Sequence, residues 1–233
     1  MSIIKQKKDI ILLIMNCHNY KYKAQKQLST WLPLLSKDIL YFHVLGDPLL
    51  KKPFIIDTNN PILYVKCDDG YNSLPKKVIR AFDAIDSTYD FQYIFKTDDD
   101  QNVIDTKVFE TIRDILLKKV PKVHYAGSVV PVPVAYKSEY YRIHPELPCD
   151  LIIHPTSYCS GRFYALSSEA VFNLIHKKEK IEMEFLEDYA IGLNLSPFLK
   201  KTMLNLSLSI NRYIMDFTNY DVCEKDKVYQ DRS

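Results

Sequence analysis

No stretch of this chain stays apolar for long enough to cross a membrane. The run Ile10–Met15 is six residues, where a helical span needs about 20. Asn16, Cys17, His18 and Asn19 follow it, not a small-residue cleavage site, which argues against a signal peptide. The chain is therefore expected to be soluble and unanchored, in the cytoplasm or a viral factory; only a trimmed form would belong in the secretory lumen. Neither sign of charge is in excess. The formal net charge is +2, which gives no reason to expect nucleic acid or an anionic membrane as partner. The five cysteines are odd in number and form no Cys-x-x-Cys pair. Zinc and thioredoxin-like chemistry thus have no support, and free, partly buried thiols are expected. His124, His144 and His154 lack metal-ligand spacing and read as loop or acceptor-site residues. Glycine is scarce, 5 residues against 17 tyrosines, a composition that reflects AT-rich coding and is silent on function. Repeats, low-complexity tracts and linkers are absent too, so residues 1–233 are expected to form one domain, with halves near 1–120 and 121–233.

What is present is enough for a sizeable core: 47% of the 233 residues are hydrophobic. Ile10–Met15 has the continuous apolar character of a strand buried on both faces. Ile39–Leu45, Ile62–Val65 and Tyr93–Thr97 read as further strands. Lys21–Leu32 is helix-compatible. Leu74–Ile85, apolar at 74, 78, 79, 82 and 85, and Val108–Leu117, apolar at 108, 109, 112, 115 and 116, carry helical stripes. Strands alternating with helices predict an α/β fold with a central, mostly parallel sheet covered on both faces. The second half is less regular. Val123–Val130 reads as a strand, and Pro131–Pro155 as a long loop or two short strands. Ser157–Gly161 reads as a turn before Phe163–Leu166, and Ser167-Ser168-Glu169 as the start of a helix. Leu204–Tyr213 alternates like a strand, and Lys5–Lys8 reads as a solvated tail.

The chemistry concentrates where Tyr93-Ile94-Phe95 runs through Lys96-Thr97 into Asp98-Asp99-Asp100. A buried strand here would deliver three carboxylates to the carboxyl edge of the sheet, where open α/β sheets bind ligands. Two readings stand. The acids form a solvated turn ahead of a helix, or they hold a divalent cation, for which oxygen ligands suit Mn²⁺ or Mg²⁺. In an extended chain Asp98 and Asp100 point the same way and Asp99 points away, giving an Asp-x-Asp clamp for a metal carrying a diphosphate.

Several segments, in order, resemble the β-1,3-galactosyltransferase-like glycosyltransferases, the group that includes β-1,3-N-acetylglucosaminyltransferases and Fringe relatives. Ile11–Asn16 followed by Lys23 and Thr30-Trp31 is similar to the family's first strand and basic segment. Phe42–Gly46 is similar to its second strand. Asp69-Gly70-Tyr71-Asn72-Ser73-Leu74 with Lys77 resembles Asp-Ser-Tyr-x-Asn-Leu…Lys, and Lys96–Asp100 matches Lys-Thr-Asp-Asp-Asp. Tyr158-Cys159-Ser160-Gly161 with Tyr164–Ser167 resembles the Tyr-Cys-Ser-Gly segment, and Glu187-Asp188-Tyr189 the Glu-Asp-Val segment. The resemblance covers roughly residues 10–195 and implies a GT-A (Rossmann-like) fold. It implies inverting transfer of a hexose or N-acetylhexosamine from a UDP-sugar to a glycan or glycoprotein acceptor. Asp98 and Asp100 would hold Mn²⁺ or Mg²⁺. Asn16, Lys23, Asp69, Lys77, Asp98, Asp99 and Gly161 would bind the donor, and Asp188 would be the general base. Helix-start acids are also common where Asp188 falls.

The sequence departs from the family at three places. The arginine before Thr-Trp falls on Leu28, which would move a contact to Lys23. Arg162 and Phe163 stand where small residues are expected, implying a more crowded floor. No histidine follows His176, leaving Asp216 or water as a third metal ligand. These departures keep open a degenerate protein that binds a nucleotide-sugar or glycan without turnover. A nucleotidyltransferase or phosphatase would share the carboxylates but leave Tyr158–Gly161 and Glu187-Asp188 without a role.

Overall fold

The computed structural model describes residues 5–57 and 59–217. In chain order its elements are strand β1 (Gln6–Met15), helix α1 (Lys21–Ser29), β2 (Leu40–Gly46), β3 (Phe54–Ile56), β4 (Ile62–Val65), α2 (Leu74–Thr88), β5 (Tyr89–Asp98), β6 (Gln101–Val103) and α3 (Lys107–Lys118). There follow β7 (Tyr125–Val132), β8 (Tyr136–Lys137), β9 (Ile152–Ile153), β10 (Thr156–Ser167), α4 (Ser168–Ile175), α5 (Lys178–Glu182), α6 (Glu187–Asn194), α7 (Pro197–Lys200), β11 (Leu204–Asn205), α8 (Ser207–Tyr213) and β12 (Ile214–Asp216). One eight-stranded sheet runs through both halves in the order β11-β7-β10-β5-β1-β2-β4-β3. The block β5-β1-β2-β4 is parallel, as is β11 on β7. Strand β10 is antiparallel to β5 and β7, and β3 to β4. Strand β5 therefore sits inside the sheet, between β1 and β10.

The apolar pattern of β1 explains why it lies at the centre. Ile10, Leu12 and Ile14 pack on one face with Trp31, Phe95 and Phe109, while Ile11, Leu13 and Met15 pack on the other with Val78 and Phe82. A strand covered on both faces must be apolar at every position. Each aliphatic side chain buried this way contributes roughly 1.5–3 kcal/mol. Helix α2 buries its predicted stripe against one face, and Pro75 occupies its first turn, where no N–H partner is needed. Its other end closes when the hydroxyls of Ser87 and Thr88 both donate to the Ala84 carbonyl, at 2.9 and 2.7 Å. The chain then enters β5 directly. Helix α4 starts as predicted, with the Ser167 hydroxyl accepting from the Ala170 N–H at 3.2 Å. Helix α6 crosses β10 closely at Gly192, where an added Cβ would fall 2.2 Å from the Cβ of Tyr158.

Three local expectations fail. Gln6–Lys8 is not a tail but the start of β1, paired with Tyr89–Phe91. Ser157–Gly161 is not a turn; it lies within β10, whose pairing with β7 slips between Cys159 and Tyr164. Leu204–Tyr213 is not a strand. The buried residues are Leu206, Ile210 and Ile214, four apart, while Leu208 is 90% exposed. The helical period wins over the alternation, and α8 takes most of the segment. Four cysteines are free thiols; Cys67 and Cys159 are buried and Cys149 is exposed. Cys223 lies outside the described residues. No helix among the described residues is long and apolar enough to cross a membrane.

Candidate active site

A cleft of about 710 Å³ opens at the carboxyl ends of β1 and β5, where Met15 pairs with Asp98. The rule for parallel sheets places ligands there. Nine of the residues singled out from sequence line it, namely Asn16, Lys23, Asp69, Lys77, Asp98, Asp99, Asp100, Gly161 and Asp188, whereas Asp216, offered as a third metal ligand, is not among its lining residues.

At its floor lies Lys96, a residue to which sequence reasoning gave no role. Its side chain is 0% exposed. The ammonium donates to Asp98 Oδ1 at 2.7 Å, to Glu187 Oε2 at 2.9 Å and to the Gly161 carbonyl at 2.8 Å. All three of its protons are used, and they tie β5, β10 and the start of α6 together. Glu187 also accepts from the Tyr164 hydroxyl. Burial opposes the lysine's charge, but Asp98 and Glu187 outweigh it and hold the ammonium above its usual value. The signal was present: a lysine in an apolar strand, two residues before Asp98, shares a face with it.

Asp188 stands beside this cluster. Its Oδ2 accepts from the Gly161 N–H at 3.0 Å and its Oδ1 from the Tyr189 N–H at 2.7 Å. Burial raises its carboxyl above the ordinary range, against the pull of Lys96 and the two N–H groups. Gly161 leaves open the space that these groups share. A Cβ there would lie 3.4 Å from Lys96 Nζ and 3.6 Å from both Asp98 Oδ2 and Asp188 Oδ2. Asp98 and Asp188 thus meet over one glycine, rather than standing on opposite sides of the cleft.

The clamp geometry also needs correcting. Strand β5 ends at Asp98, and Asp99 and Asp100 form a turn, so strict alternation stops there. Asp99 does not point away. It shares Lys23 with Asp100, at 3.1 and 3.9 Å, while Asp98 turns to Lys96. Burial pushes the carboxyls of Asp98 and Asp99 up to about 6, each against its lysine. Lys23 lines the cleft with these acids, whereas Leu28 is 43% exposed and is not among the lining residues.

Lys77 lines the cleft from the start of α2. It is buried, and its ammonium meets the Asn16 carbonyl at 2.7 Å and Asp69 Oδ1 at 2.5 Å. Asp69 in turn accepts from the N–H groups of Gly46 and His18, at 2.7 and 2.6 Å. The pair pins the ends of β1 and β2 to the turn at Asp69. The Asn16 side chain accepts from the Cys17 N–H at 2.6 Å. Of the two residues expected to crowd the floor after Ser160, Phe163 packs into the core with Phe95 and Phe109, whereas Arg162 does line the cleft and pairs with Asp216 at 3.2 Å.

The opposite wall is aromatic. Tyr71, His144 and Tyr140 stack, with ring centroids 3.9 and 5.5 Å apart. Of the three histidines considered from sequence, only His144 lines the cleft. Trp31 is core, its indole N–H donating to the Gln101 carbonyl at 3.2 Å.

Seven carboxylates line the cleft against four cationic side chains. An all-oxygen donor set with excess negative charge fits a hard divalent cation. Among the described residues, no three His, Cys, Asp or Glu side chains already converge on one point; the aspartates are held by lysines and an amide instead. No curated protein matches the sequence. Residues 56–198, more than half of the chain and spanning every carboxylate that lines the cleft, match the family model described as Galactosyltransferase; the chain belongs to the galactosyltransferase family of glycosyltransferases.

Proposed function

We propose that this chain is an inverting, metal-dependent glycosyltransferase that moves a hexose or N-acetylhexosamine from a UDP-sugar to a hydroxyl of a glycan or glycoprotein, in β-1,3 linkage. Residues up to about 120 serve the nucleotide-sugar and those from 121 the acceptor. The observation that carries this reading is Asp188: a half-buried carboxylate with raised proton affinity, fixed by two N–H groups, facing a cleft that also holds four other aspartates. A pure binding protein has no use for such a base, which favours turnover over a degenerate binder.

Asp188 takes the acceptor hydroxyl's proton as the oxygen attacks the sugar. Lys96 keeps Glu187 and Asp98 in place beneath it, and Gly161 keeps their shared space open. Lys23 draws Asp99 and Asp100 together at the donor end. Asp98 and Asp100 are the residues proposed to hold Mn²⁺ or Mg²⁺, which supplies Lewis-acid stabilisation of the diphosphate leaving group. A cleft richer in carboxylates than in cations would otherwise repel that group. Asn16, Asp69 and Lys77 shape the nucleotide end.

The test is UDP affinity with and without Mn²⁺. It should rise with Mn²⁺, and Asp100→Ala should remove most of the rise; equal UDP binding in EDTA and in Mn²⁺ would sink the metal-dependent reading. Hydrolysis of a panel of UDP-sugars then separates an enzyme from a binder. Gly161→Ala offers a second check. The added methyl makes only ordinary contacts, so stability should change by less than about 1 kcal/mol. It nevertheless puts an apolar group among two carboxylates and an ammonium where substrate must pass. Turnover should fall at least tenfold at an unchanged melting temperature.

A further inference from the structure

Helix α1 docks through a glutamine. Of its nine residues only Gln27 is fully buried, at 0% exposed. Its amide nitrogen donates to two backbone carbonyls, that of Asp98 at 3.3 Å and that of Gln101 at 3.1 Å. Both partners can only accept, so the nitrogen and not the oxygen must face them. The oxygen, Oε1, is buried with no hydrogen-bond partner among the described residues. An amide buried in that way costs stability, and a methionine would fill the space without the cost. What the glutamine adds is its two donated bonds.

Those two carbonyls belong to the first and last residues of Asp98-Asp99-Asp100-Gln101, the turn from β5 into β6. Gln27 thus clasps both ends of the turn that presents three acids to the cleft, and does so without lining the cleft itself. Other groups hold the turn at single points. The Phe217 N–H donates to the Asp100 carbonyl at 2.7 Å. The Gln101 amide nitrogen donates to Asp100 Oδ1 at 2.8 Å and to Asp216 Oδ1 at 2.6 Å, across the pairing of β6 with β12. Lys23 precedes Gln27 by one helical turn, on the same face of α1, and holds the carboxylates of Asp99 and Asp100 at 3.1 and 3.9 Å. Helix α1 therefore grips the turn twice: its side chains through a charge, its backbone through a neutral amide.

The two grips respond differently to a divalent cation. The Lys23 ammonium must give way at those carboxylates, since like charges repel. The bonds from Gln27 to the backbone carry no net charge and are not displaced. We infer that Gln27 is a positioning residue, which keeps the acidic turn in its binding geometry while the aspartates exchange Lys23 for the cation that accompanies the donor diphosphate. The inference rests on the metal-dependent reading given above, and it adds a residue outside both the cleft and the matched segment 56–198.

UDP affinity of the full chain, measured in Mn²⁺ and in EDTA well below the melting temperature, tests this without reference to activity. Gln27→Met removes both donors and keeps the bulk. It should cut the gain in affinity that Mn²⁺ gives the parent at least fivefold. Affinity in EDTA should stay within twofold of the parent, because Asn16, Asp69 and Lys77 are untouched. Gln27→Asn keeps the amide but withdraws it by one methylene from both carbonyls, and should show the same selective loss; it serves if the methionine variant does not fold. A Mn²⁺ gain within twofold of the parent overturns the inference and leaves metal dependence standing, whether affinity is unchanged or is weakened equally in both conditions. Failure of both variants to fold would make Gln27 a residue of the fold and overturns it as well. A parent chain whose UDP affinity does not respond to Mn²⁺ overturns the inference and the metal-dependent reading together.

Discussion

Asp188→Asn should lower turnover by a factor on the order of 10²–10⁴, the usual worth of a general base, while leaving UDP and Mn²⁺ affinities nearly unchanged. The base acts on the acceptor proton and not on the diphosphate, so the loss belongs in kcat. The substitution is not silent for the fold. Both carboxylate oxygens accept a backbone N–H, from Gly161 and from Tyr189, and the new amide must turn its NH₂ toward one of them. A destabilisation of about 1–3 kcal/mol is expected from that unmatched donor. Thermal melts must therefore accompany the kinetics. The pH profile gives an independent readout. Asp188 must be deprotonated to act, and burial raises its proton affinity. The parent activity should thus fall on the acid side, with its midpoint above the ordinary aspartate value of about 3.9. The residual activity of the variant should keep only the acid limb set by Asp98 and Asp99, whose carboxyls are raised to about 6. Near-parental transfer by Asp188→Asn would mean that another group is the base.

The parallel block of the fold was legible because its strands have no polar face. Ile10–Met15 and Ile39–Leu45 needed only their apolar continuity, and α2 only its stripe. What failed were segments where sequence pattern and burial part company. Leu204, Leu206, Leu208 and Ile210 alternate, yet only those four apart are buried, because α8 rests on the sheet face as a helix. Ser157–Gly161 is rich in turn-forming residues, but β10 absorbs them by slipping register against β7. The candidate site was legible residue by residue from a family resemblance, yet its wiring was not. No spacing rule places Lys96 under Glu187, 91 residues away, or Asp216 against Gln101. Those contacts exist only once β10 and β12 have returned to the edge of β5 and β6. The partners of Lys77 were hidden for the same reason: Asn16 and Asp69 converge on it from separate loops.

Replacing Lys96 with methionine should destabilise the fold by about 3–5 kcal/mol at pH 7.5, the usual loss when one partner of a buried ion pair is removed. Methionine fills a similar volume, so the cost falls on the charges left behind. Glu187 dominates it, with a side chain only 3% exposed, and Asp98, 32% exposed, contributes less. The size of the loss should depend on pH, and its direction follows from the carboxyls. In the parent chain burial already raises Glu187, and raises Asp98 to about 6, in spite of Lys96. Without the ammonium both must rise further. An acid raised in the folded state stabilises the fold below its unfolded value, and that stability is lost as pH climbs through the folded value. The penalty of Lys96→Met is therefore largest on the alkaline side and shrinks as pH falls through the variant's raised values, that of Asp98 lying above 6, where protonation removes the uncompensated charge. Urea unfolding of both proteins at pH 5 and pH 7.5 measures the difference directly. A loss equal at the two pH values would show that Lys96 supports the fold by packing and not by neutralising Glu187 and Asp98. A loss that shrinks at pH 5 would place the charge balance of the cleft floor in this one lysine.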